Sequence, residues 1–316
     1  MSTAPHAVRF VLLSLFAVPV FAQDRAAPTV PKHLLRMAHV VGQEAYFCQA
    51  MDMTTKMQMG ERTMDMGQST MSFFTSTAKS VEGGNATIEQ KFTRVKAKVS
   101  GMAQVDYDSN DPESRPGPLG ALEEMVGESI TLVMTDRGKV MGSKPSAGFP
   151  TESLERSGMD LNQMLAQCVP EFPDQPIAIG ESWVTEMKMP MGQMGDIHCK
   201  ITNRLVEVEK GKAKLDQAYE FDTKDVQLPG GMQLKVDKGT GWTLLDLALG
   251  LPLDSQSTIE MSMTGGPGGG MNMQMAMQTV TKRVDAQAAK EAPVKTEPVK
   301  AEPVKTEPAK SAEKPK

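Results

Sequence analysis

The chain has 316 residues, a formal net charge of −5 and only 5% aromatic residues. This charge argues against a nucleic-acid partner, which requires a basic face. Because aromatic side chains are scarce, the 26 methionines and the aliphatic residues must supply much of the core volume. The sequence contains no hydrolase nucleophile elbow, P-loop, dinucleotide fingerprint or HExxH motif. It therefore predicts a protein that is not an enzyme and needs no cofactor.

Residues 1–22 have the pattern of a secretory signal peptide. Arg9 supplies the positive charge, Phe10–Val20 is a short apolar run, and Ala22 ends a permissive cleavage site. No later stretch approaches the roughly 20 apolar residues of a transmembrane helix. We therefore expect export to a periplasm or to the outside of the cell, with residues 23–33 as a disordered leader and no transmembrane segment. An uncleaved N-terminal anchor is the alternative.

Residues 34–150 are predicted to form a first β-half. Runs of alternating apolar and polar residues, separated by turns that contain glycine, are typical of antiparallel strands. The predicted elements of this half are strands at 34–40, 43–59, 62–79, 86–99, 102–107, 129–135 and 138–142, with a short helix at 119–126.

A helix is predicted within the connecting segment 151–173. Apolar residues recur at near-helical spacing over residues 152–168, and Pro170 and Pro173 end the pattern. Residues 174–288 then form the predicted second β-half. Its strands are expected at 181–191, 197–209, 212–226, 231–237, 240–247, 256–264 and 271–283.

The two halves resemble each other in sequence. Residues 82–92 align without gaps on residues 209–219, with four identical and three conservative positions. Each stretch is preceded, in the same order, by a Gly-Gln or Gly-Glu pair, an aromatic strand start and a methionine-alternating strand. Chance similarity of two hairpins is the alternative. We expect a mainly β (β-rich α+β) fold: a strongly curved antiparallel sheet or half-barrel built from two similar halves, with one or two short covering helices.

Methionine recurs at every second position in several predicted strands. Residues i and i+2 of a strand point to one face of a sheet, and thioether side chains are flexible and polarizable. Such stripes form either a soft core or an adaptable apolar surface. We expect a concave face that binds an apolar ligand, a lipid or a lipidated peptide, and a purely structural envelope protein is an alternative. The predicted lining residues are Met51, Met53, Met57, Met187, Met189, Met191, Met261 and Met263.

Copper binding is a further alternative for the methionines. Thioether sulfur is a soft ligand that suits Cu(I). A periplasmic copper-sequestering protein would use Met187, Met189 and Met191 together with His198 and Cys199. Against this hypothesis, the stripes are spread over several strands, whereas a metal requires three or four converging ligands.

Few other residues are candidates for chemistry. Three cysteines, Cys48, Cys168 and Cys199, are an odd number, and we expect them to be buried thiols without a disulfide. Asp106 and Asp108 border a loop dense in proline and glycine. Carboxylates there could hold Ca²⁺, but turn formation explains the same residues.

Residues 289–316 consist mainly of a five-residue repeat with proline at every fifth position, as in Pro293, Pro298 and Pro303. Proline at this spacing blocks both helix and sheet, so we expect a disordered, extended tail. Its lysines could contact an anionic cell-wall polymer or a membrane surface. A solvated tail without a specific partner is the alternative.

Several short motifs follow one another along residues 34–285. They are Gly42-Gln43-x-x-Tyr46, Phe92-Thr-Arg-Val-Lys96, Tyr107-Asp-Ser109, Leu132-x-Met134-x-x-x-Gly138-Lys-Val140 and Gly180-Glu-Ser-Trp183. In this order they resemble an uncharacterised domain-of-unknown-function family of exported, planctomycete-type bacterial proteins. The resemblance implies a β-rich exported domain and brings no catalytic residue with it. The curved two-half pattern is also similar to the envelope lipoprotein carriers, which hold acyl chains against a concave sheet, and this is a likeness of fold alone.

Overall fold

Strands make up most of the chain that the structure describes. The computed structural model describes residues 30–101, 104–152, 170–190, 195–266 and 271–287. The chain divides into two units, Met1–Pro31 and Lys32–Lys316, and the strands belong to the second. Its strands are β1 (Lys32–His33), β2 (Glu44–Met59), β3 (Arg62–Glu82), β4 (Asn85–Ser100), β5 (Val105–Asp108), β6 (Ser129–Thr135), β7 (Val140–Pro145), β8 (Ile177–Ala178), β9 (Ser182–Pro190), β10 (Asp196–Glu209), β11 (Lys212–Asp222), β12 (Gln233–Asp246), β13 (Leu251–Gly265) and β14 (Met271–Val284). Helix α1 is Gly120–Glu124, and single 3₁₀ turns lie at Gly117–Leu119 and Pro229–Gly231.

Twelve strands form one antiparallel sheet that is not closed. Its order is β7-β6-β4-β3-β2-β14-β13-β12-β11-β10-β9, with β5 also paired to β4. The first and last strands of the sheet along the chain, β2 and β14, are therefore neighbours at its centre, and β7 and β9 are its edges. A separate two-stranded pair consists of β1 and β8. The prediction of a mainly β, antiparallel fold is confirmed.

The sheet is strongly curved, and one face of it is concave. Strands β4 and β11 lie six strand spacings apart, which is roughly 29 Å in a flat sheet at about 4.8 Å per spacing. Yet Ile88 of β4 and Leu215 of β11 belong to one buried cluster. Residues from outside the large sheet, including Leu35 and Phe172, belong to the same cluster. The face that carries Ile88 and Leu215 therefore curls around this core.

The sequence repeat corresponds to two equivalent hairpins. The β3–β4 hairpin turns at Gly83-Gly84 and the β10–β11 hairpin turns at Lys210-Gly211, all with positive φ. These turns occupy the same positions of the sequence alignment. Two further pairs of aligned residues, Ala86 with Ala213 and Ile88 with Leu215, are buried in the shared core. The hairpins thus agree with the predicted repeat, while the division into two similar halves stays a prediction.

Some predicted elements differ from the structure. Residues 34–40 are not a strand, although Leu35 and Met37 alternate inward as a strand would. The backbone of this segment instead donates hydrogen bonds to two hairpin turns, from Met37 N to Asp136 O and from Ala38 N to Leu249 O. The predicted strands 231–237 and 240–247 are one strand, β12, because a bulge between Val236 and Lys238 keeps the pairing continuous.

The remaining predictions concern the helices and the two ends of the chain. The short helix predicted at 119–126 is present as α1, preceded by a 3₁₀ turn. Of the helix predicted at 152–168, only residue 152 is described, and it is helical. The signal peptide, most of the leader and the tail lie outside the described residues. Among the described residues, no helix has the length and apolar character needed to span a bilayer.

Candidate functional site

A row of methionines crosses four neighbouring strands at one end of the concave face. Residues that pair directly across antiparallel strands point to the same face, so the pairing register defines this row. Met57 pairs with Met64 on one side and with Met273 on the other, and Met273 pairs with Met263. All four side chains are half-buried.

A second row lies directly beside the first. Thr55 pairs with Met66 and with Met275, and Met275 pairs with Met261. We call the seven methionines of the two rows the methionine ladder: Met57, Met64, Met263 and Met273 in the first row, and Met66, Met261 and Met275 in the second. On β2 and β3 the ladder lies toward one strand end, while buried core residues such as Phe47 and Ala78 lie toward the other.

The predicted lining residues fall on this face wherever the register can be followed. Met51 and Met53 share the parity of Met57 on β2, and Met261 and Met263 belong to the ladder. Met187 pairs with Cys199 on the β9 side of the same face, and Met189 occupies the position opposite Ile197. Met191 lies outside the described residues. The structure thus gathers stripes from distant segments on one face, while their role in binding stays a prediction.

A belt of polar side chains crosses the concave face between the core and the ladder. Asn203 Nδ2 donates to Thr185 Oγ1 at 3.3 Å, and Gln217 Nε2 donates to Asn203 Oδ1 at 2.9 Å. Thr243 Oγ1 donates to Gln217 Oε1 at 3.2 Å. Asn203 is only 1% exposed, so these bonds replace the water that it loses on burial. We call Thr185, Asn203, Gln217 and Thr243 the polar belt.

The polar belt continues across the sheet through the register. Thr243 pairs with Ser255, Ser255 with Thr281, Thr281 with Gln49, and Gln49 with Ser72. In the adjacent row, the buried Thr70 Oγ1 has no hydrogen-bond partner within the described chain. A hydroxyl buried without a partner costs free energy unless something bonds to it.

Tyr219 lies over two glycines on the concave face. A Cβ atom at Gly239 would lie 2.6 Å from Tyr219 Cβ, and one at Gly241 would lie 3.3 Å from its ring. The ring is also stacked on Phe221, with centroids 6.3 Å apart, and its hydroxyl donates to Gln217 Oε1 at 3.4 Å. Burial raises the pKa of Tyr219 to about 12, so the hydroxyl stays protonated at neutral pH.

The convex face carries a compact ion network. Arg94 donates to both carboxylate oxygens of Asp108, at 2.9 and 2.6 Å, and Lys96 Nζ lies 3.1 Å from the same carboxylate. The hydrogen bond from Arg94 holds the pKa of Asp108 well below its usual range. Asp108 Oδ1 also accepts from Asn110 N at 3.1 Å. Because Arg94, Lys96 and a backbone N–H of the turn already contact this carboxylate, the geometry favours the turn interpretation over a Ca²⁺ site.

The residues predicted for copper do not all converge. Cys199 pairs with Met187 on the concave face and is buried. His198, the next residue along β10, points to the opposite face, where its Nε2 lies 3.5 Å from Asp225 Oδ2. The structure therefore brings Cys199 and Met187 together and directs His198 away from them.

The described cysteines are buried free thiols on opposite faces of the sheet. Cys48 pairs with Phe73 on the convex side, whereas Cys199 lies on the concave side. Burial raises the pKa of each thiol to about 11. Cys168 lies outside the described residues. Within the described part, no group of three or more His, Cys, Asp and Glu residues could hold a metal ion.

Sequence reasoning missed two parts of this face. Met64, Met66, Met273 and Met275 were not selected as lining residues, although their Met-x-Met spacing is the same signal that selected Met51 and Met53. The polar belt had no sequence signal, because its members come from separate strands and only the register unites them.

Comparison with known proteins yields only remote likenesses. No family model and no curated protein matches the chain. A solved structure of lipovitellin, described by its lipid–protein interactions, has a TM-score of 0.44 and 8% identity, over 78% of this chain and 26% of that one. This chain thus spans about a quarter of the length of that protein. A DUF1329 family protein from Desulfovibrio piger has a TM-score of 0.16 and 11% identity, over 75% and 84% of the two chains. The Pseudomonas aeruginosa protein OccK7 has a TM-score of 0.21 and 7% identity, over 77% and 99%. Likenesses this remote say nothing about the function of this chain.

Proposed function

We propose that this protein is an exported, non-catalytic carrier that binds the acyl chain of a lipid on the concave face of its sheet. The observation that carries the proposal is the convergence of methionine stripes from β2, β3, β13 and β14 into one contiguous, half-buried apolar surface. A contiguous apolar surface rimmed by polar residues is typical of a binding site. Flexible thioether side chains suit a ligand of variable shape.

The polar belt specifies an amphiphile as the ligand. An acyl chain on the methionine ladder would place its polar end toward Ser72 and Gln49, where the register continues the belt. Ser72 and Gln49 are both half-buried, so their side chains are available to a ligand ester or hydroxyl. A lipid or a lipidated peptide satisfies both requirements.

Export is the part of the proposal that rests on the sequence alone. The signal-peptide pattern of residues 1–22 indicates cleavage and release into a periplasm or the extracellular space. Lipids cannot diffuse freely through such an aqueous space, since exposing an acyl chain to water costs about 0.8 kcal/mol per CH₂ group. A carrier that covers the chain removes this cost.

Native mass spectrometry of protein purified by gentle extraction tests the proposal. We expect a co-purifying lipid mass, and displacement of a fluorescent fatty acid by added lipid. Met53→Lys places a charge on the concave face and should weaken fatty-acid binding at least about tenfold. The matched control is Thr54→Lys, whose side chain is exposed on the opposite face and should leave binding unchanged. A domain that purifies empty and binds no fatty acid refutes the carrier and favours a structural envelope protein.

A further inference from the structure

We propose that the first row of the methionine ladder is a Cu(I) site, in which Met57 and Met273 bind one ion together with Met64 or Met263. This inference goes beyond lipid carriage and does not depend on it. It also differs from the set suggested by sequence spacing, because His198 points away from Met187 and Cys199.

The register brings the thioethers within reach of a single ion. Met57 has a methionine directly opposite it on each neighbouring strand, Met64 and Met273. Directly opposed Cβ atoms in antiparallel strands are about 4.5–5.5 Å apart. With metal–sulfur bonds near the ~2.3 Å of zinc thiolates, three sulfurs around one ion lie about 4 Å from one another. Three successive strands therefore provide three sulfurs at a spacing that flexible side chains can close.

The choice of residue at these positions fits a role for the sulfur as well as for an apolar lining. Seven of the eight positions in the two rows on β3, β2, β14 and β13 are methionine, and the eighth is Thr55. An apolar lining on strands is served as well by valine and isoleucine, which favour β-structure. Neither occurs among the eight.

The surroundings of the row select a soft monovalent ion. No carboxylate or imidazole lies among the eight positions, so hard cations such as Ca²⁺ and Mg²⁺ find no oxygen ligands there apart from the Thr55 hydroxyl. Thioether sulfur suits Cu(I) and carries no proton. The charged group nearest along the same face is Arg62, one pair beyond the first row, opposite Met59. Because the thioether ligands have no proton to lose, Cu(I) affinity at this site is independent of pH.

The test titrates the full mature chain, labelled with ¹³C-methyl methionine, with Ag(I) as a redox-inert probe and with Cu(I) under reducing conditions. We expect the methyl signals of Met57 and Met273 to shift on addition of either ion. The double variant Met57→Leu, Met273→Leu should weaken binding at least about 100-fold, because two of the three ligands are lost. Leucine has nearly the volume of methionine, so the fold should persist.

The matched control is Met71→Leu, a half-buried methionine on β3 that points to the convex face opposite Ala50. It should leave the affinity unchanged. Affinity should also stay constant between about pH 5 and 8, since a cysteine site would lose affinity as thiolates protonate. Unchanged binding by the double variant overturns the proposal. An affinity that decreases as the pH is lowered also overturns it, and assigns the metal to a thiol. If wild type binds Cu(I) but binds no fatty acid, the carrier proposal is refuted and the Cu(I) site remains supported.

Discussion

Replacing Gly239 with alanine is expected to destabilise the protein, because Tyr219 already occupies the space that the new methyl group needs. The Cβ atom of alanine would lie 2.6 Å from Tyr219 Cβ and 3.0 Å from Phe221 Cε2. Overpacking of this kind costs about 1–3 kcal/mol. Loss of chain entropy in the unfolded state offsets roughly 0.4–1 kcal/mol of that cost. The net destabilisation is therefore about 1–2 kcal/mol.

Urea unfolding measures this effect directly. The midpoint should fall with an unchanged slope, which indicates a change of stability rather than of compactness. In thermal melts, 1 kcal/mol shifts the midpoint of a domain of this size by about 2–4 °C. The matched control is Gly142→Ala on edge strand β7, where a Cβ atom meets nothing within 4 Å. This control should be neutral or slightly stabilising.

If the Gly239→Ala variant is as stable as wild type, Tyr219 does not pack on β12 in the way described. The polar belt would then also be in doubt, because the Tyr219 hydroxyl bonds to Gln217, a member of that belt. The Gly142 control separates this outcome from a general tolerance of alanine on strands.

Three further perturbations test other parts of the molecule. Asn203→Ala should cost about 1–3 kcal/mol in urea unfolding, since it removes the two hydrogen bonds that this buried side chain makes with Thr185 and with the half-buried Gln217; no loss would mean that the belt is hydrated. The pKa of Asp108 is lowered in the folded state, so its ion pair with Arg94 contributes stability above the unfolded pKa of about 3.9 and loses it as pH falls further. Asp108→Asn should therefore lower the melting temperature at pH 7 and flatten its decline below pH 4, and identical pH profiles would refute this. Deleting residues 289–316 should change the melting temperature by less than about 2 °C, because the segment has too few apolar side chains to offset its ordering entropy; a fall of about 5 °C would show that the tail docks.

Strand positions could be predicted because local signals determine them. Alternation over residues 43–59 and 129–135 matches β2 and β6 almost residue for residue. The separating turns require positive φ, which Gly83 and Gly84 adopt without strain. The same local logic fails at 34–40, where alternation is present but the backbone bonds to turns rather than to a neighbouring strand.

The composition of the site could not be predicted from the sequence. Alternation shows which residues of a strand share one face, but it does not show which strands are neighbours in the sheet. Nothing in the sequence shows that β14 pairs with β2, more than 200 residues away along the chain. That pairing joins Met273 to Met57 and creates the methionine ladder. His198 and Cys199 are adjacent in sequence, which suggested a common site. Successive residues of a strand point to opposite faces of the sheet, so the two side chains lie apart.

The carrier and the Cu(I) site compete for the same side chains, and this competition gives a final prediction. An acyl chain on the concave face covers the thioethers of Met57 and Met273, so lipid and metal should exclude each other. Thermodynamic linkage requires each ligand to weaken the other by the same factor. Protein saturated with a fatty acid should therefore bind Ag(I) at least about tenfold more weakly than the empty protein, and saturating Ag(I) should weaken fatty-acid binding equally. Isothermal titration in both orders measures the two factors. If both ligands bind and neither affects the other, they occupy different surfaces, and the acyl chain must lie on the concave face away from the first row of the ladder.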